Sequence, residues 1–191
     1  MTDGPDLPPL AGEDHVCRSC GISYADLDVR DATAQLAELI GAFEQAVQAV
    51  PASVRSRRPE PSVWSPAEYA CHVRDVLVTY TIRLHRARRE DRPMLEPMYN
   101  DLRARRFDYQ HADVPAVLDQ TRAAADGLHA EIGRLRGADW DRVVTRLPGE
   151  ERTARWLVRQ ALHELRHHTA DIRTVTARLA QRRHSRESEP R

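Results

Sequence analysis

Apolar residues recur at three- and four-residue spacing in four long stretches of this chain, and no stretch of similar length alternates as a strand would. Leu36, Leu39, Ile40, Phe43, Val47 and Val50 make the first stripe, with Asp31 as candidate N-cap and Pro51 as the stop. The second stretch carries the fullest start signal. Ser65 can cap, Pro66 sits where the first turn needs no amide donor, and Glu68 can reach back to the cap. That helix should run to about Arg89, ahead of Pro93. The third opens near Asp113 with Pro115 in its first turn. It carries Val117, Leu118, Thr121, Ala124, Leu128, Ile132 and Leu135, and stops at Gly137. The fourth runs from about Thr153 to Arg182. An amphipathic helix must bury its stripe against a partner, so the pattern predicts an all-α four-helix bundle over residues 31–182. Residues 94–112, with Met98, Leu102, Arg105 and Arg106 as a short crossing helix, are long enough for a crossover, so a topology other than simple up-and-down is expected. Outside the bundle lie an irregular N-terminal extension, residues 1–30, with Pro5, Pro8 and Pro9 in its lead, and a polar C-terminal tail, residues 183–191.

The 191 residues suffice for one domain with a real core, without disulfide staples. A formal net charge of zero and 5% aromatic residues argue against a nucleic-acid binder. No apolar run approaches a membrane span, and Met1 to Asp6 has neither the basic nor the apolar part of an export signal, so a cytoplasmic protein is expected. In a reducing compartment the three cysteines would not form structural disulfides. The 29 basic residues are all arginine, which together with abundant alanine points to a high-GC bacterial genome.

The chemistry concentrates in His163-Glu164-Leu165-Arg166-His167. Two histidines four apart share a helix face and can grip one metal ion. The string also matches the H-E-x-x-H of zinc proteases, with Glu164 as general base and Glu187, twenty residues after His167, as a third ligand. That reading is disfavoured, because Glu187 sits in the polar tail and no strand pattern supplies an edge for a peptide. His72, two turns into the second helix, is the better third ligand, leaving a coordination position open. Asp75, Glu164 and Asp171 are candidates to orient the ligands through hydrogen bonds. His168 points about 100° away from His167 and is not an automatic ligand. Arg74, Arg106 and Arg166 are candidate anion-binding residues. A second site is suggested by His15, Cys17 and Cys20, a C-x-x-C followed by Gly21. A closed zinc knuckle needs four ligands, so the remainder would come from Cys71, a histidine or a second subunit. A redox dithiol, unligated thiols, or a lid over the histidine site are the alternatives.

Two runs carry a family resemblance: Trp64-Ser65-Pro66-Ala67-Glu68-Tyr69-Ala70-Cys71-His72-Val73-Arg74-Asp75, and His163-Glu164-Leu165-Arg166-His167-His168-Thr169-Ala170-Asp171-Ile172. In content, order and separation they resemble the DinB-like superfamily, which includes mycothiol-dependent maleylpyruvate isomerases and related thiol S-transferases. The resemblance implies a four-helix bundle holding a divalent metal, often zinc or nickel, through a histidine on the second helix and an H-x-x-x-H pair on the last. On this chain those are His72, His163 and His167. It also implies a small-molecule substrate and a low-molecular-weight thiol such as mycothiol as cosubstrate. The Cys-containing extension lies outside the resemblance. The leading expectation is a metal-dependent S-transferase or isomerase. The alternative is a zinc-binding or thiol-redox regulator that uses the C-x-x-C segment. Apolar helix faces leave a homodimer open.

Overall fold

The capping box at Ser65 forms as its sequence demands: the Ser65 hydroxyl accepts from the Glu68 amide at 3.3 Å, and the Glu68 carboxylate accepts from the Ser65 amide at 2.8 Å. Pro66 occupies the first turn, and α2 runs Pro66–Arg89. The computed structural model describes residues 8–147 and 149–187, with side chains as far as Arg182. Its other helices are α1 (Ala32–Gln48), the short α3 (Asn100–Arg106), α4 (Val114–Ile132) and α5 (Ala154–Glu187). Residues 1–7 of the proline-containing lead, the end of the polar tail and the side chain of Glu187 lie outside the described residues.

The four long helices close a ring. α2 packs on α4 and α5, and α1 packs on the same two, so the successive helices α1 and α2 lie diagonally opposite. The neighbours α2 and α4 run in the same direction, Arg74 meeting Gln120 near their starts and Arg88 meeting Glu131 near their ends, so the long connection through α3 returns along the bundle between them. The shared interior is filled by Leu36 and Phe43 from α1, Leu77 and Leu84 from α2, Leu128 from α4, and Trp156, Leu157, Leu165 and Ile172 from α5, all with 1% exposure or less. Each such side chain contributes about 1.5–3 kcal/mol by leaving water. No described helix is long and apolar enough to cross a membrane.

Three local features differ from the sequence reading. α1 has Asp31 at its N-cap position, but the aspartate makes no capping bond; the 3-10 turn Val29–Asp31 precedes the helix, and Asp28 accepts from the Arg30 amide instead. α4 ends at Ile132, with Gly133 at its C-cap, so Leu135 joins the core from the following turn rather than from the helix. Glycine's low helix propensity marks an earlier stop than Gly137. Between α4 and α5 a hairpin forms, β1 (Val143–Thr145) against β2 (Glu151–Thr153). Strands of three residues are too short to show alternation.

The lead from Pro8 to Glu13 is irregular yet firmly tied down. Arg152 donates to the carbonyls of Leu10 and Ala11, the Trp156 indole donates to Ala11, and Glu13 accepts from both the amide and the hydroxyl of Thr153. These partners lie about 140 residues away in sequence, on the hairpin and the start of α5, and place the extension across one end of the bundle.

Candidate metal centres

α5 turns a dense row of polar side chains, Gln160, His163, Glu164, His167, His168 and Asp171, toward α2 and the N-terminal extension. The row feeds two donor groups, and a third, His167 with His168 and Asp171, overlaps both.

The first joins α5 to α2. Glu164 Oε2 lies 3.4 Å from His72 Nε2 and 3.1 Å from His168 Nε2, and the two imidazoles meet edge to face at 4.7 Å. One donor atom from each of the three residues falls within 4.8 Å of the others. Trp64 packs on the His72 ring at 5.2 Å and Tyr69 on the His168 ring at 5.3 Å, so aromatic surface walls the group. His168 Nδ1 donates to Asp171 Oδ2 at 2.9 Å, which turns Nε2 toward Glu164. Burial works against a charge on His168, but its bonds to Asp171 and Glu164 outweigh that and push its pKa up to about 9. Burial would raise the pKa of Glu164, yet His168 and His72 hold it well below the usual carboxylate range. His72 is pulled down, chiefly by burial. Two imidazoles and a carboxylate suit a divalent ion of the zinc or nickel type, and Asp171 fixes the tautomer His168 needs as a ligand.

The second group joins α5 to the extension. Residues 15–24 form a tight knuckle: the Cys17 amide donates to Ile22, Gly21 to Cys17 and Tyr24 to His15, each at 2.9 Å. Gly21 sits at φ +71°, a left-handed conformation that disfavours any side chain. This turn seats Cys17, buried, and Cys20, half-buried, against α5, and both thiols are free. Cys17 Sγ is 3.4 Å from His167 Nδ1, and donor atoms of Cys17, Cys20, His163 and His167 all lie within 4.8 Å of one another. The other nitrogen of His167, Nε2, lies 3.5 Å from Asp171. Burial first, and then neighbouring imidazoles, bring the pKa of His163 down to about 4, so the ring is neutral.

A chain of hydrogen bonds sets the tautomer of His163. Gln160 Nε2 donates to Glu164 Oε1 at 2.6 Å, which leaves Gln160 Oε1 to accept from the Tyr24 hydroxyl. With its proton so committed, Tyr24 accepts from His163 Nδ1 at 3.0 Å. His163 Nε2 is then a bare lone pair, buried and without a hydrogen-bond partner.

The three histidines named from the sequence thus divide: His72 stands with Glu164 and His168, while His163 and His167 stand with Cys17 and Cys20. No donor group among the described residues joins His72 to either of the other two. His15 packs against the rings of Tyr24 and His163, each at 5.2 Å, beside the cysteine group rather than within it. Cys71 is buried, with its thiol 3.9 Å from the Tyr109 carbonyl. Asp75 accepts from Arg74, Arg103 and the Tyr109 hydroxyl, not from His72. Arg74 is further held by Gln120 at 2.8 Å, and Arg106 and Arg166 are exposed. Sequence reasoning left His168, Tyr24 and Gln160 without a role. The signal for His168 was present, since Glu164 and Asp171 lie one turn to either side of it.

His72 and Glu164 open into a cavity of about 780 Å³, which His163 of the second group also lines. Pro8 to Ala11 and His15 of the extension form one wall, and residues 97–102 with Arg105 form another. Arg83 and Arg146 add positive charge to the lining.

The DinB superfamily model matches residues 35–172, most of this helical bundle, and the chain belongs to that superfamily. Among solved structures it is similar to YfiT from Bacillus subtilis, described as a probable metal-dependent hydrolase with an unusual four-helix bundle topology. The TM-score is 0.73 at 17% identity, over 91% of this chain and 95% of that one. It is also similar to the mycothiol-dependent maleylpyruvate isomerase, with a TM-score of 0.64 at 13% identity over 78% of this chain and 62% of that one, and to the H52A mutant of that enzyme at 12% identity. The chain matches no curated protein.

Proposed function

We propose that this protein is a divalent-metal-dependent enzyme that acts on a small acidic molecule with a low-molecular-weight thiol as cosubstrate, as an S-transferase or isomerase. The observation that carries the reading is the convergence of His72, Glu164 and His168 beside a cavity large enough for both reactants. A divalent ion held there would supply Lewis-acid chemistry and lower the pKa of a thiol presented from the cavity.

The chain's own residues do the rest. Asp171 holds the His168 ring in its Nδ1–H form, and Gln160 steadies the outer oxygen of Glu164. Trp64 and Tyr69 shield the donors from water, which strengthens every charge interaction among them. Arg105 and Arg83 give the cavity lining the charge to hold a carboxylate, whereas Arg146 is paired with Glu150. The mycothiol-dependent isomerase among the structural neighbours supports the thiol. YfiT supports metal dependence with water as the alternative reactant.

Metal content of the wild type beside His72→Ala, His168→Ala and His167→Ala tests the assignment. Loss of the same ion in the first two, but not through the same site in the third, is expected. If His72→Ala and His167→Ala empty one common site while His168→Ala leaves it filled, the donors are instead the three histidines of the family pattern. Titration with mycothiol, followed by calorimetry on metal-loaded protein, then separates the chemistries. Binding that is lost in His168→Ala supports transfer or isomerisation, and no binding shifts the assignment to hydrolysis.

A further inference from the structure

We propose that Cys17, Cys20, His163 and His167 form a closed four-coordinate zinc site that fastens the N-terminal extension to α5 and so fixes one wall of the cavity. The proposal does not depend on the function of the open group.

The donor set is the first argument. Two thiols and two imidazoles with ligand atoms within 4.8 Å of one another satisfy a tetrahedral zinc ion completely, with no position left for substrate. Oxygen-seeking ions such as magnesium or calcium have no ligand here, whereas thiolate with imidazole selects zinc.

Orientation is the second. His163 Nε2 is a buried lone pair with no partner, and such an atom is costly unless something fills the place in front of it. The bond from Nδ1 to Tyr24, itself locked by Gln160 and Glu164, exists only for the tautomer that leaves Nε2 able to ligate. His167 shows the complementary arrangement, Nδ1 toward Cys17 and Nε2 toward Asp171, the order in which a carboxylate backs a metal-bound imidazole.

Backbone shape is the third. The Cys17–Gly21 turn, with its left-handed glycine directly after the second cysteine, presents two sulfurs to one side without needing a disulfide between them. Tyr24 already ties the far side of the knuckle to α5 through Gln160 and His163, whereas on the cysteine side Cys17 meets the helix at His167, the place where an ion would complete the fastening next to His15 in the cavity wall.

The test uses the full chain with cobalt(II) exchanged for zinc. The wild type should show intense sulfur-to-cobalt charge-transfer absorption, and His72→Ala/His168→Ala should keep it. His163→Ala should weaken and shift it, and Cys17→Ser/Cys20→Ser should abolish it with the loss of one zinc per chain. Should the cysteine variant fail to fold, an organomercurial titration of the reduced wild type gives the same answer: one zinc is released as the two thiols react. Absence of the sulfur band in cobalt-loaded wild type, or thiols that react without releasing zinc, would overturn the proposal and leave the pair as a redox dithiol. A band of unchanged energy and intensity in His163→Ala/His167→Ala would overturn it equally, placing the cysteines' partners elsewhere.

Discussion

Two donor groups stand side by side on α5, built from residues that alternate along the same two turns, yet their surroundings are opposite. His163 and His167 face two thiols from a foreign segment, and the extension covers them. Glu164 and His168 face a single histidine from α2, and Glu164 and that histidine line the cavity, whose edge His163 also reaches. Neighbouring positions on a helix point about 100° apart, so one helix can feed a closed centre and an open one at once. What separates them is the number of donors the opposing element brings. Two from the knuckle complete a tetrahedron, whereas one from α2 leaves room for substrate.

The largest effect should come from breaking the closed side. Chelation of the wild type, or Cys17→Ser/Cys20→Ser, is expected to lower stability by about 4 kcal/mol at a free zinc level a thousandfold above the dissociation constant. Limited proteolysis should then cut between residues 8 and 24 first. A thermal shift of wild type with and without chelator, absent in the cysteine variant, checks this.

On the open side, His168→Ala removes the one cation that Glu164 and Asp171 share in the metal-free protein. The three side chains are half-buried, so removing the shared imidazole should cost about 1–3 kcal/mol in urea unfolding of the metal-free protein. His72→Ala, which removes a largely neutral ring, should cost less, although both should abolish activity.

Asp171→Asn strikes both groups through their orienting bonds, and so sharpens the contrast between them. It should weaken metal binding at the open group by about 10–100-fold, where the bond to His168 is 2.9 Å. The closed group, where the approach to His167 is 3.5 Å, should change less. Competition titrations with a chromophoric chelator give both numbers.

The smallest effect is expected at the capped start of α2, one turn before His72. Glu68 is buried beside Arg58. Burial would raise its pKa, but the bonds from Arg58 and Ser65 outweigh that and hold it below the ordinary value. A group lowered in this way adds stability above its unfolded pKa of about 4.3 and loses it as pH falls through the folded value. Glu68→Gln keeps a residue able to complete the capping box while removing the charge, so it should cost about 1 kcal/mol at neutral pH and nothing at low pH. Unfolding curves at neutral and acidic pH decide it.

Much of the bundle was legible from local pattern. The stripe from Leu36 to Val47 and the Ser65-Pro66-Ala67-Glu68 start each act through neighbours a turn away, and both appear as α1 and α2. The hairpin and the strapped lead were not legible. Three-residue strands carry no period, and the partners of Leu10, Ala11 and Glu13 lie about 140 residues away. The donor residues were visible as residues, and His163, Glu164, His167 and Asp171 were all singled out by spacing. Their grouping was not.

The sequence by itself determined which side chains share a helix, where α2 starts, and that α5 carries more metal donors than one ion can use. Those properties are set by bonds and contacts within a turn or two of chain. Only the tertiary structure decided which donors meet. The diagonal placement of α1 and α2 brings α2 against α5, so His72 reaches Glu164 and His168. The hydrogen bonds that strap the extension over the hairpin bring Cys17 and Cys20 to His163 and His167. Convergence of ligands depends on how distant segments pack, and spacing along one helix carries no record of what lies opposite.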